Sequence, residues 1–107
     1  MSQTTHALSP LFTPASVAVI GASSDADRIG GRVLRFLIEA GYPGKLYPVN
    51  RSGAAEIQGL PAFASITDVP AQVDQAIVLT PVAGVEAAIR DSIAKGVKCV
   101  LVLTAGF

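Results

Sequence analysis

Apolar residues recur along the chain with a period that switches between strand-like and helix-like. Ser16-Val-Ala-Val-Ile-Gly21 is a short apolar run ending in glycine, the pattern of a strand buried on both faces of a parallel sheet. Over residues 30–40 the period lengthens. Val33, Phe36, Leu37 and Ala40 fall at i, i+3, i+4 and i+7, with Arg32, Arg35 and Glu39 elsewhere on the helical wheel. Gly41 stops that helix, and Tyr42-Pro43-Gly44 turns the chain into a second strand, residues 45–49, whose Pro48 suits a strand terminus. Residues 57–63 predict a short edge strand, and Ser65 with Asp68 has capping-box spacing on one helical turn before Pro70. A buried strand follows at 75–79. A helix over 82–95 carries the stripe Val85, Ala88, Ile89 and Ile93 and ends at Gly96, and a last strand spans 98–103.

Strands separated by helical stretches of this length define βαβ units. Right-handed crossovers then place helices on both faces of one parallel sheet. The expectation is an α/β, Rossmann-like, doubly wound sheet of order 3-2-1-4-5 with a weak third strand, truncated after the fifth. Ligands of such a sheet bind beyond the carboxyl ends of the strands, where the first and fourth strands diverge.

Composition narrows the classes of function. Eight basic residues balance eight acidic ones within 107, so the basic surplus of an electrostatic nucleic-acid binder is missing. No apolar run approaches the roughly 20 residues of a membrane-spanning helix, and the N-terminus does not read as a secretory signal. A cytoplasmic protein is expected, with no membrane partner. The single cysteine excludes an intrachain disulfide or a Cys-rich zinc site, and half of the residues are hydrophobic, too many for a disordered chain. One domain is expected over 1–107, with 1–10 a polar tail.

Four loops follow the strands at the expected binding rim. The first runs from Gly21 through Ala22, Ser23, Ser24 and Arg28 to Gly30 and Gly31. Small residues there let backbone amides approach a phosphate, the following helix offers free N–H groups, and Arg28 adds a cation. The spacing is not GxGxxG, and Asp25 or Asp27 is a candidate helix cap. The second loop, Asn50-Arg51-Ser52-Gly53, lacks the acidic residue that holds the ribose of NAD. Arg51 suits a phosphorylated ribose, as in CoA or NADP, and otherwise is a solvated turn residue. Thr80-Pro81 starts a helix, either as simple initiation or as a ligand contact. Leu103, Thr104 and Ala105 end the last strand at the same rim.

The run Leu11-Phe-Thr-Pro-Ala-Ser-Val-Ala-Val-Ile-Gly-Ala-Ser23, with Gly41-Tyr-Pro-Gly44, Tyr47-Pro-Val-Asn50, Gly59, Val73-Asp74, Thr80-Pro81 and Thr104-Ala-Gly-Phe107, resembles the N-terminal CoA-binding domain of NDP-forming acyl-CoA synthetases. It is similar, more distantly, to the α subunit of succinyl-CoA ligase, and the same domain opens some GNAT-type protein acetyltransferases. The resemblance implies that the phosphates of CoA lie over Ala22, Ser23, Ser24 and the helix start at Gly30. It implies too that the Asn50-Arg51 loop approaches the adenosine, and that Thr80, Pro81, Leu103, Thr104 and Ala105 line the pantetheine path.

In that family the acyl group passes through an acyl phosphate and a phosphohistidine, with ATP and Mg²⁺ handled by later domains. The only histidine here is His6, in the polar tail, where it lacks the fixed partner and dry pocket of a catalytic base. No P-loop pattern occurs. Cys99 sits in an apolar strand and reads as a small hydrophobe, and Tyr42 and Tyr47 read as packing residues. A chain that binds CoA without turning it over is therefore expected, with the C-terminal part of the parent synthetase absent and that remainder, or a subunit, as its partner. The alternatives are an NAD(P)-binding module and a non-enzymatic nucleotide-sensing or interaction domain.

Overall fold

The structure, a computed structural model, describes residues 15–25 and 27–103. In chain order its elements are β1 (Ser16–Ile20), α1 (Ile29–Glu39), β2 (Lys45–Val49), β3 (Glu56–Ile57), β4 (Leu60–Pro61), a 3₁₀ turn (Ile66–Asp68), β5 (Gln75–Val78), α2 (Val82–Lys95) and β6 (Cys99–Val102). The main sheet is fully parallel with order β2-β1-β5-β6. These are the expected second, first, fourth and fifth strands, in the expected order.

Every residue of β1 is buried, because the strand has a neighbour on each side and a helical layer on each face. Its side chains alternate as a strand must. Val17 and Val19 pack with Leu34 of α1, whereas Ala18 and Ile20 pack with Ala88 of α2. The partner strand β5 and the residue after it repeat the division, with Ile77 and Leu79 toward α1 and Ala76 and Val78 toward α2. The helices that follow β1 and β5 thus lie on opposite faces of adjacent strands, which opens a crevice at their carboxyl ends.

The expected third strand is reduced to one parallel bridge, Val49 with Phe63. Its sequence folds instead into the antiparallel β3–β4 hairpin, turning at Gln58 and Gly59, both at positive φ (51° and 81°). That pair of angles is the signature of a tight I′ turn. The hairpin brings Ile57, 3% exposed, onto the α1 side of the core. Pro48 tolerates its place in β2 because its missing donor faces away from β1, on the side where its carbonyl accepts from the Phe63 N–H.

Val33 and Leu37 of α1 and Val85 and Ala88 of α2 pack on the core as expected, but Phe36 and Ile93 do not. Phe36 is 68% exposed, and Gly30, Gly31 and Leu34 are the buried residues of α1. The two glycines let the helix approach the loop after β1 so closely that it rotates Phe36 outward. In α2, Ala88 is buried as expected, but Ile93 is 70% exposed and the other buried residue is Ser92, whose hydroxyl donates to the Ala88 carbonyl at 2.8 Å. Ser65 caps its turn as expected, accepting from the Thr67 N–H, although no reciprocal bond from the Asp68 side chain appears among the described residues.

Below α1, Tyr42 has its phenol pushed above the ordinary 10.0, by burial first and then by the Asp74 charge. The unfolded chain then loses this proton at lower pH than the folded one, so stability falls as pH rises through about 10. Denaturant titrations between about pH 9 and pH 11 should show this loss, and Tyr42→Phe should flatten it. An equal slope in the variant would assign the loss to another group.

Candidate functional site

A cavity of about 1070 Å³ lies at the carboxyl ends of β1, β2 and β5. Of the residues expected to bind, Gly21, Ser23, Arg28, Gly30, Asn50, Arg51, Thr80 and Pro81 line it. Three loops remote in sequence therefore meet around one space. Ala22 and Gly31 are buried behind this wall, Ser24 is exposed beyond it, and Leu103, 48% exposed, lies outside the lining. Thr104, Ala105 and His6 fall outside the described residues.

The wall over β1 depends on close backbone approach. Gly21 has φ 95°, and a Cβ there would stand 2.9 Å from the Leu79 carbonyl carbon and 3.0 Å from the Thr80 nitrogen. Its absence lets the loops after β1 and β5 touch. A Cβ on Gly30 would overlap the Gly21 carbonyl oxygen, and one on Gly31 would overlap the Asp25 carbonyl oxygen. All three positions need hydrogen where another residue has a side chain.

Two backbone carbonyls of the first loop are each held by a side-chain carboxamide. Asn50 Nδ2 donates to the Ala22 carbonyl at 2.7 Å, and Gln58 Nε2 donates to the Ser23 carbonyl at 2.9 Å and the Gly31 carbonyl at 3.0 Å. In a planar trans peptide the N–H opposes the C=O, so the amides of Ser23 and Ser24 point the other way. Neither has an acceptor among the described residues. Asn50 is engaged at both ends, since its Oδ1 accepts from the Ser52 N–H at 2.8 Å.

Both helices that open on the cavity begin without a side-chain cap and without an acidic residue in the first turn. Asp25 and Asp27, the candidate caps, do not serve α1. Asp25 Oδ1 instead accepts from the Asp27 N–H at 2.9 Å, and the Asp25 N–H donates to Ser23 Oγ. A carboxylate spent on its own turn leaves the helix start free for an external anion. Arg28 is exposed beside this start, its Nε 3.9 Å from Asp25 Oδ2, a contact in solvent that holds it weakly. Arg51 is exposed and has no ion-pair partner among the described residues.

Thr80 Oγ1 is buried and has no hydrogen-bond partner among the described residues. A hydroxyl in that state costs free energy until a ligand atom satisfies it. Sequence reasoning missed Ser65 and Ile66, which return on the 3₁₀ turn to close the cavity, and Asp91, one turn along α2 from Ala87 and Ala88. The one available signal was Gly84. A Cβ there would stand 3.2 Å from the Thr80 side chain, so a glycine in the first turn of a helix marks a tight approach. Among the described residues no group of three His, Cys, Asp or Glu side chains could hold a metal ion, and no helix is long and apolar enough to cross a membrane.

A doubly wound parallel sheet with uncapped helix starts, free loop amides and exposed arginines around a switch-point cavity defines a Rossmann-like binder of phosphorylated ligands. A family profile described as a CoA binding domain matches residues 15–106, and the chain belongs to that family. It is 42% identical over 103 residues to the α subunit of ADP-forming acetate–CoA ligase I of Pyrococcus furiosus, covering 94% of this chain and 22% of that one. Among solved structures it resembles dinucleotide forming acetyl-coenzyme A synthetase 1 of Ca. Korarchaeum cryptofilum, with a TM-score of 0.88, 42% identity, and coverage of 94% and 21%. A Thermus thermophilus protein matches at a TM-score of 0.74 and 30% identity, with 94% of this chain and 72% of that one covered. The chain is thus homologous to the N-terminal part of NDP-forming acyl-CoA synthetases and spans about a fifth (22% and 21%) of the first two relatives.

Proposed function

We propose that the chain holds CoA across the carboxyl edge of its sheet and presents the thiol to a reaction centre outside these 107 residues. The carrying observation is that the Ser23 amide, without an acceptor among the described residues, the uncapped start of α1, and the cations Arg28 and Arg51 stand at a single switch-point cavity, with the exposed Ser24 amide next along the same loop. The diphosphate takes the Ser23–Ser24 amides and the helix start at Gly30, with Arg28 beside it. The 3′-phosphate takes Arg51. Neighbouring strands lie about 4.8 Å apart, so a ligand anchored over β2 and β1 continues past Thr80 and Pro81 toward the end of β6 at Leu103. Pantetheine, with its two amides, supplies the partner that Thr80 Oγ1 lacks.

The relatives' ligase activity suggests what surrounds the chain. An acid–thiol ligase needs an activated acyl group, and its ATP and Mg²⁺ sites would sit on further domains or a partner subunit. A cytoplasmic setting suits such a ligand and the free, half-buried thiol of Cys99. Incubated alone with CoA, ATP, Mg²⁺ and acetate, the chain should form no acyl-CoA. Sustained turnover would overturn this division of labour.

Thr80→Val separates the site from the scaffold. It removes the unpartnered hydroxyl and keeps the branched shape, so the ligand-free protein should gain about 1 kcal/mol by denaturant titration. CoA should bind about tenfold more weakly. Unchanged affinity would remove Thr80 from the pantetheine path.

A further inference from the structure

We propose that Gln58 is a positioning residue for the phosphate loop, a reading that rests on this cavity being the CoA site. Gln58 occupies the first of the two turn positions in the β3–β4 hairpin, with φ 51°. An I′ turn favours Asn, Asp or Gly there, because those residues enter the left-handed region most readily. Glutamine is a poor choice for the turn itself. Its longer side chain explains the choice: the part-buried Nε2 reaches the Ser23 carbonyl, 35 residues away in sequence, and the Gly31 carbonyl, 27 residues away. Asparagine, one methylene or about 1.5 Å shorter, would suit the turn and fall short of both oxygens.

These two bonds join the ends of the loop that cradles the anion. Ser23 lies at its start, just after the close contact at Gly21, and Gly31 lies in the first turn of α1. One carboxamide therefore fixes the loop to the helix whose N–H groups complete the cradle. Holding the Ser23 carbonyl also fixes the opposed Ser24 N–H on the far side of that peptide. Asn50 does the same for the Ala22 carbonyl and the Ser23 N–H, so consecutive amides are oriented by two side chains from different elements. Gln58 itself does not line the cavity. It acts through the loop, and its contribution is to order donors before ligand arrives.

A positioning role and a merely structural one move Gln58→Asn in opposite directions. Because Asn is the better turn residue, the variant should melt at or above the wild-type temperature. CoA affinity should nevertheless fall about tenfold, as two bonds that order the cradle are lost. In the ligand-free protein, amide hydrogen exchange over residues 23–31 should be faster in the variant. Gln58→Leu, which keeps the length and removes the donor, should lose affinity similarly. Wild-type affinity in both variants overturns the proposal. If the unaltered chain fails to bind CoA, the site reading falls, and exchange decides the clamp separately: unchanged protection over residues 23–31 in Gln58→Asn rejects it.

Discussion

Gly30→Ala should be the most damaging single methyl group in this protein, costing about 3 kcal/mol of stability and abolishing measurable CoA binding. The added Cβ would overlap the Gly21 carbonyl oxygen and stand 2.8 Å from its carbon, and its three nearest neighbours are all backbone atoms of Gly21 and Ala22. No side chain can swing away, so either α1 lifts off the sheet or the loop after β1 moves. Both responses break the same site, because the helix start and the loop amides act together. For a domain of this size a loss of that order lowers the melting temperature by more than about 10 °C. Gly53→Ala is the matched control. Its φ is 78° and nothing stands within 4 Å, so only the left-handed backbone is penalised, at about 1 kcal/mol. Thermal melts that rank the two substitutions equally would mean that α1 stands clear of the Gly21 carbonyl.

Arg51→Ala should act on binding and leave stability untouched. The side chain is exposed and has no ion-pair partner among the described residues, so the fold loses nothing with it. A charge-assisted contact to the 3′-phosphate contributes about 1–3 kcal/mol, which is roughly ten- to hundredfold in the dissociation constant. Dephospho-CoA lacks that phosphate and should bind the variant and the wild type equally. Equal loss for both ligands would assign Arg51 to another phosphate. No loss for either would make it the solvated turn residue that its loop also permits.

Much of this architecture was legible because buried parallel strands are written as uninterrupted apolar runs. Residues 16–21 and 75–79 each become an interior strand, and their order follows from the crossover rule alone. Helix existence was equally plain, but helix phase was not. Counting apolar residues placed Phe36 inward, whereas close approach at Gly30 and Gly31 sets the rotation and leaves Phe36 68% exposed. Glycine carries no hydrophobic signal, so a stripe built on it is invisible to periodicity. In the expected third strand, Gly59 and Pro61 interrupt the run and allow the hairpin, leaving Phe63 as its single bridge to β2.

The site divides in the same manner. Loops that follow strands were found by position, since topology gathers them at one rim. Side chains that return from elsewhere were not: the reach of Gln58 to Ser23 depends on a hairpin turn, and that of Ser65 to the cavity on a 3₁₀ turn. Asn50 shows a different limit. Sequence placed it at the rim, and only geometry reveals that both ends of its amide are engaged in holding the Ala22 carbonyl and the Ser52 N–H.

Calorimetric titration of the chain with CoA, dephospho-CoA and NADPH tests the central claim most directly. One CoA should bind per chain, dephospho-CoA should bind more weakly by the contribution of Arg51, and NADPH should give no heat beyond dilution. Saturable NADPH binding with no response to CoA would contradict it.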